Sequence, residues 1–293
     1  MIFATIDVGS NSLRLLLTNV RTTKEEAVFE RMALLRVPVR LGEDAFSRGV
    51  ISNEKKEMLV QTMRGFREII DGFHVVDTMA CATSALREAK NGEEIAKQIK
   101  KETGIDLKII DGKKEAKLIY ANHIKENFDP RYSYLYIDVG GGSTEITFVN
   151  SGIQKSKSFD VGTIRLKDGL VSKEAWEGMD KWLKKNVSGN EILGVGSGGN
   201  MRSLYLLAGK VNNAPLMLPE LQNICEMLGS YSIEERVTVL GLKPDRADVI
   251  IPACNIYLHI LEVCGIQKIY APIIGLSDGM VHELYAKHKK KSK

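Results

Sequence analysis

The residues best placed for chemistry are Asp7, Arg14, Asp138 and Glu145, and they come in two matched settings. Ile6-Asp7-Val8-Gly9-Ser10-Asn11-Ser12 recurs as Ile137-Asp138-Val139-Gly140-Gly141-Gly142-Ser143. Each copy lies between apolar runs with strand character, Ile2 to Thr5 and Leu13 to Thr18 in the first, Tyr134 to Tyr136 and Ile146 to Val149 in the second. The pattern predicts strand, tight turn, strand. A glycine-rich turn lets backbone N–H groups face an anion with no Cβ in the way. Seven residues after its aspartate, one copy carries Arg14 and the other Glu145. Arg14 can pair bidentately with a phosphate, with Ser10, Asn11 and Ser12 as neutral donors. Gly140, Gly141, Gly142 and Ser143 form the second cradle. Asp7, Asp138 and Glu145 only accept, so beside phosphates they make sense as ligands of a hard cation such as Mg²⁺ or as groups that orient water. A plain hairpin turn explains either loop alone. Two copies in register point to two domains facing one polyanion.

Further candidates sit where strands hand over to helices. In Ala82-Thr83-Ser84-Ala85-Leu86-Arg87-Glu88-Ala89, Thr83 and Ser84 are expected as helix caps and Arg87 in the first turn, a third phosphate contact or an ordinary capped helix. Glu115, in Asp111-Gly112-Lys113-Lys114-Glu115-Ala116, opens the helix that links the two halves. It reads either as a general base or as a surface carboxylate favoured by the helix N-terminus. Arg165, in Asp160-Val161-Gly162-Thr163-Ile164-Arg165-Leu166, and the pair Gly198 and Gly199, in Gly194-Val195-Gly196-Ser197-Gly198-Gly199-Asn200, complete the set. Glycines in such turns serve ligand approach or simple helix–strand packing. The five histidines show no His-x-x-x-His spacing and no cysteine partner, which argues against zinc; no Gly-x-Ser-x-Gly elbow or P-loop lysine motif occurs.

The elements that must hold these residues fall into two runs. The first reads strand, strand, a β-rich continuation from Glu26 to Leu41, a helix from Ser52 to Gly72, a strand His74 to Ala80, a helix Glu93 to Thr103, a strand Leu107 to Ile110 and a helix Lys113 to Asn127. The second repeats it with strands at 133–138, 144–149 and 153–159, a helix near 173–186, a strand Ile192 to Val195, a helix from Asn200, a strand Lys268 to Ala271 and a last helix near Asp278. The predicted domains are 1–126, completed by a C-terminal helix 276–293, and 131–275 with a helical insertion at about 215–265. Two βββαβαβα units with an insertion describe an α/β, duplicated ribonuclease-H-like fold, the actin-like architecture of sugar kinases, with the ligand expected in the interdomain cleft.

A length of 293 residues suits two such domains, and 44% hydrophobic with 27% charged residues is ordinary for a globular chain. The net charge of +4 is accounted for by Lys287, Lys289, Lys290, Lys291 and Lys293, a basic tail that reads as a solvated terminus, so the body is near neutral and DNA is not an expected partner. Cys81, Cys225, Cys254 and Cys264 have no Cys-x-x-Cys spacing, and reduced thiols in a cytoplasmic protein are expected. No signal peptide is read at the N-terminus. The apolar stretch Val249 to Leu261 is too short and too interrupted to predict a membrane span.

Taken together, the motifs resemble the exopolyphosphatase and guanosine pentaphosphate phosphohydrolase family. The likeness rests on Asp7 to Leu15, Ala82 to Ala89, Asp138 to Glu145 and Asp160 to Leu166. It continues through Gly196-Ser197-Gly198-Gly199 and Arg246-Ala247-Asp248 to Gly275-Leu276-Ser277-Asp278-Gly279. It spans nearly the whole chain, and the length matches the short, two-domain members. The resemblance implies release of a terminal phosphate from inorganic polyphosphate, or from guanosine pentaphosphate to give guanosine tetraphosphate. It implies Glu115 as the group that activates water, Glu145 as a second catalytic carboxylate, Asp138 with Glu145 and Asp7 around Mg²⁺, and Arg14, Arg87 and the glycine loops on phosphates. Lys114 departs from the pattern, since members often carry a second glutamate there. A homodimer that lengthens an anion groove is a further expectation. The rival readings are a sugar or acid kinase, which would need an acceptor alcohol or carboxylate, and a non-catalytic polyphosphate or alarmone sensor.

Overall fold

The computed structural model describes residues 1–22, 26–121, 129, 131–189, 191–211, 214–272 and 275–291. The chain divides into two compact units, Met1–Ile124 with Gly275–Lys293, and Lys125–Ile274.

The first unit opens with an antiparallel meander, β1 (Ile2–Val8), β2 (Leu13–Thr22) and β3 (Ala27–Val37). It continues through α1 (Leu41–Arg48), α2 (Asn53–Gly72), β4 (Asp77–Ala82), α3 (Ser84–Glu88), α4 (Gly92–Thr103), β5 (Leu107–Ile109) and α5 (Gly112–Ala121), and takes in the last helix of the chain, α13 (Leu276–Lys291). The sheet order is β3-β2-β1-β4-β5, with β4 and β5 parallel to β1. β1 is buried almost throughout rather than alternating, because helices cover both of its faces. Ala4, Ile6, Val8, Leu13 and Leu15 pack with Leu59, Met63 and Phe66 of α2 and Ile95 and Ile99 of α4. On the other face Phe3, Leu16 and Val20 meet Val281 and Leu284 of α13, and Cys81 meets Leu118 of α5 and Met280.

The second unit repeats the plan with β6 (Ser133–Val139), β7 (Thr144–Asn150), β8 (Ile153–Phe159), α6 (Thr163–Lys167), α7 (Lys173–Asn186), β9 (Ile192–Ser197) and α8 (Gly198–Leu207). Then come β10 (Leu216–Met217), α9 (Leu218–Ser230), α10 (Ile233–Thr238), α11 (Pro244–Ala247), α12 (Ile250–Val263) and β11 (Lys268–Tyr270). Its order, β8-β7-β6-β9-β11, is that of the first sheet, with β10 added antiparallel at the edge. The apolar stretch singled out in the sequence is α12. Ile250, Ala253, Ile256, Tyr257, Ile260 and Leu261 bury it in the core of this unit, as expected of a helix that is apolar nearly all round. Among the described residues no helix is long and apolar enough to cross a membrane. Two copies of one α/β topology in one chain make this a duplicated ribonuclease-H-like fold.

Several boundaries differ from those expected. The β-rich run ends at Val37 and not at Leu41, because Pro38 has no N–H to donate and Arg40 turns left-handed (φ 55°) into α1, which Glu43 and Asp44 favour in its first turn. The strand read from His74 begins at Asp77, since His74 is itself left-handed (φ 50°) in the turn that leaves α2. The linking helix is described to Ala121; its expected continuation over 122–127 lies outside the described residues, as does Lys293.

Candidate active site

Strand register explains why the two loops are equivalent. In the first unit Asp7 lies directly opposite Arg14, and the Gly9 N–H donates to the Ser12 carbonyl at 3.2 Å. In the second, Asp138 lies opposite Glu145, and the Gly140 N–H donates to the Ser143 carbonyl at 2.9 Å. Directly opposed residues of antiparallel strands share a face. Each loop therefore presents one aspartate beside one charged neighbour, and only the neighbour's sign changes.

In the first unit Arg14 Nη1 donates to Asp7 Oδ2 at 3.2 Å, with the arginine side chain 27% exposed and the aspartate nearly buried. The loop itself is pinned from below. The Arg40 and Gly42 N–H groups donate to the carbonyls of Asn11 and Ser10 at 3.0 and 2.8 Å, and the Ser10 and Ser84 hydroxyls share a hydrogen bond of 2.9 Å. Ser10, Asn11, Ser12 and Thr83 are all buried. The expected caps are not made: Thr83 makes no side-chain cap bond to the five-residue α3, and the Ser84 hydroxyl ties that helix to the loop instead. Arg87 lies in the last turn of this short helix, where Nη1 donates to the Ile110 carbonyl at 2.9 Å and stands 3.6 Å from Glu115 Oε2. Glu115, in the first turn of α5, is buried beside that cation. Cys81, opposite Asp7 on β4, has its thiol pushed up to about 11 by burial, with the Asp7 charge adding to the effect. It stays protonated and offers no thiolate nucleophile.

In the second unit Glu145 is buried and accepts from the Ser158 hydroxyl at 2.7 Å across the β7–β8 pair. The carbonyls of Gly140 and Gly141 accept from the N–H groups of Thr163 and Ile164 at 2.9 and 2.8 Å, and Arg165 Nε donates to the Gly142 carbonyl at 2.8 Å. A Cβ on Gly162 would stand 2.5 Å from the Gly141 oxygen, which is why this seam needs glycine. Arg165 thus has a structural use that its sequence position did not disclose. The glycine-rich segment from β9 into α8 divides by role: within the strand Gly194 and Gly196 pack on Ile269 and Met201, whereas Gly198 at the start of α8, at φ +84°, would carry a Cβ 2.7 Å from Asp138 Oδ1. A Cβ on Gly199 would stand 2.1 Å from Arg246 Nη2. Arg246, buried on α11, donates to Asn200 Oδ1 at 2.8 Å, and the Tyr257 hydroxyl donates to the Ser197 carbonyl at 3.0 Å. Complete burial, reinforced by the Asp138 charge, holds the Tyr257 phenol well above its ordinary range, so it remains a neutral donor. Arg246, Asn200 and Ser158 were not read as site residues. Their role depends on strand register and on helices far along the chain, though Arg246 stands in a motif segment.

Two facing carboxylates, Asp138 and Glu145, fit a hard divalent cation whose remaining ligands are water and phosphate oxygens. Asp7 fits less well, since Arg14 already neutralises it. Among the described residues no group of three or more His, Cys, Asp or Glu side chains is assembled.

A duplicated actin-like fold with an aspartate loop in each copy defines the class. The chain matches the Ppx/GppA phosphatase family over residues 20–288, and it belongs to that family. It is 29% identical over 292 residues to a bifunctional 3-dehydroquinate synthase/phosphatase of Fusobacterium nucleatum, a match that covers 89% of this chain but 43% of that relative. To exopolyphosphatase 1 of Mycobacterium tuberculosis it is 24% identical over 94% of this chain and 86% of the other. The crystal structure of an exopolyphosphatase from Cytophaga hutchinsonii shares the fold, with a TM-score of 0.82 over 97% of both chains at 24% identity.

Proposed function

We propose that the chain releases the terminal phosphate of inorganic polyphosphate by attack of an activated water, with Mg²⁺ as its cofactor. That it is a hydrolase of phosphoanhydride bonds follows from its family; the substrate, the metal and the roles of individual residues are the proposal. The observation that carries it is the register pair of opposite sign, Asp7 with Arg14 in one unit and Asp138 with Glu145 in the other.

Phosphoryl transfer needs positioned water and compensation of spread negative charge more than a covalent nucleophile. Arg14 and Arg87 bind phosphate oxygens. Glu115, held beside Arg87, takes the proton of the attacking water at its carboxylate. Asp138 and Glu145 would hold Mg²⁺, with the Ser158 hydroxyl orienting the Glu145 carboxylate through its hydrogen bond. When bound, the cation neutralises phosphate charge and polarises the phosphoryl oxygen.

The test is phosphate release by the purified protein, with Mg²⁺ and with chelator, on polyphosphate and guanosine pentaphosphate side by side and no acceptor present. The expected result is Mg²⁺-dependent release from polyphosphate, with Glu115→Gln lowering kcat by about 10²–10⁴-fold and leaving binding largely intact. No phosphate release, but transfer of a phosphoryl group from ATP to an added acceptor alcohol or carboxylate, would mark a kinase. Binding without release would mark a sensor, and a higher kcat/KM on guanosine pentaphosphate would reassign the substrate.

A further inference from the structure

The asymmetry between the two loops extends one strand further than the loops themselves. Reading register across the first sheet, Cys81, Asp7, Arg14 and Arg36 stand side by side on β4, β1, β2 and β3. The corresponding row in the second sheet, on β9, β6, β7 and β8, is Ser197, Asp138, Glu145 and Ser158. Where the second unit places a hydroxyl that bonds its glutamate, the first places a second arginine directly opposite Arg14. Like charges directly opposite one another cost stability in a sheet. The row holds two guanidinium groups and one carboxylate, and Arg14 turns toward the carboxylate, away from the strand that carries Arg36.

The place of this row is equally informative. Leu16 and Leu34 lie opposite each other two residues further along β2 and β3, on the same face as the arginines. Leu16 is buried, while Leu34 is 55% exposed, so the face is open at the Leu34 end of β3, whereas Phe29 further along the strand packs against α13. Glu115 and Arg87 lie on the other side of β1, where Arg87 reaches the residue that follows β5. The order along this edge of the sheet is thus Glu115 with Arg87, then Asp7, Arg14 and Arg36. Neighbouring strands are about 4.8 Å apart, which sets Arg36 roughly 10 Å from the strand of Asp7.

We propose that Arg36 is a phosphate-binding residue that engages a linear polyanion beyond the phosphates held by Arg14, and so selects long chains over short ones. This rests on the hydrolase reading above. A substrate with its terminal phosphate at Glu115 must extend past Arg14 to meet Arg36. A chain of many phosphates does so with a charge-assisted hydrogen bond at each arginine, and a chain of three has little left to offer the second.

The test compares steady-state kinetics of wild type and Arg36→Gln on tripolyphosphate and on long-chain polyphosphate, with thermal unfolding as a check on folding. The expected result is a KM for the long chain raised about tenfold, with a smaller effect on tripolyphosphate, so that the long-to-short ratio of kcat/KM falls; Arg36→Lys recovers part of the loss. An unchanged ratio overturns the proposal. Calorimetric titration of long-chain polyphosphate into the same proteins without Mg²⁺ separates it from the hydrolase reading. If wild type releases no phosphate but Arg36→Gln weakens binding, the hydrolase reading falls and the assignment of Arg36 stands. Equal binding by both proteins removes Arg36 from the site.

Discussion

Ser158 shows how much a single hydroxyl can decide. It donates to Glu145 Oε1 at 2.7 Å from the neighbouring strand, and Glu145 is one of the two carboxylates proposed to hold the cation. Removing an outer group that orients a ligand typically costs 10–100-fold in metal affinity. Ser158→Ala should therefore raise the half-saturating Mg²⁺ concentration by about that factor, while kcat at saturating Mg²⁺ falls much less. A titration of phosphate release against Mg²⁺ measures both, and a variant with wild-type Mg²⁺ dependence would detach Ser158 from the cation. The sequence disclosed Asp7, Arg14, Asp138 and Glu145 because each pair is set by local spacing across one tight turn. Ser158 and Arg36 were hidden because their neighbours are defined by pairing to a third strand, and Asn200 and Arg246 because two helices far apart in the chain bring them together. Arg165 stood out in the sequence by its motif, but its bond to the Gly142 carbonyl did not, since nothing in a lone arginine says which side of a loop it will close.

At the scale of elements, the helix that carries Glu115 is held by the helix that ends the first unit. A Cβ on Gly279 of α13 would stand 1.8 Å from the Leu118 carbonyl of α5, so the two helices touch through backbone at that point. One turn further along α13, Glu283 pairs with Lys114, the residue before Glu115, and with Lys287 at 2.6 Å. Burial works to raise the Glu283 carboxyl, but its bonds to Lys114 and Lys287 outweigh it and hold the group below its ordinary value of 4.5. A carboxylate depressed in the folded state adds stability above its unfolded value, and that stability is lost as the pH falls through the lower folded value. A double-mutant cycle of Lys114→Gln and Glu283→Gln should thus give a coupling of about 0.5–1 kcal/mol at neutral pH, as partly exposed pairs do, and none in strong acid. Equal coupling at both pH values, measured by denaturant unfolding, would exclude the ion pair as its source. Long elements such as α2 and α7 were legible from periodicity and serine caps that the structure uses, Ser52 and Ser172 accepting from Lys55 and Ala175. Of the one-turn helices, the start of α3 was legible from Thr83 and Ser84, but its end at Glu88 was not, because five residues carry too little periodicity to set a length.

For the whole molecule, the decisive fact is that the first unit is discontinuous in sequence. Its sheet has one face closed by α13, which arrives only after the second unit has been completed. Leu276, Met280, Val281 and Leu284 are buried there against Phe3, Leu16, Val20 and Cys81, the Thr5 hydroxyl donates to the Ser277 carbonyl at 3.0 Å, and Arg31 pairs with Asp278 at 2.6 Å. Burying one such apolar side chain contributes about 1.5–3 kcal/mol, so four contribute roughly 6–12 kcal/mol as an upper figure. A whole domain is typically stable by only about 5–15 kcal/mol. A chain cut after Gly275 should therefore lose the fold of its first 121 residues, while the second unit, whose core among the described residues comes from its own segment, keeps its own. Limited proteolysis with mass spectrometry reads this directly: the truncated chain should yield a resistant fragment from within 125–274 and none from the N-terminal unit. Added as a separate peptide, residues 276–293 should restore protection to the N-terminal segment, because they supply buried contacts and not a covalent constraint. Equal protection of both segments in the truncated chain would mean that β1 to α5 close their own core without α13.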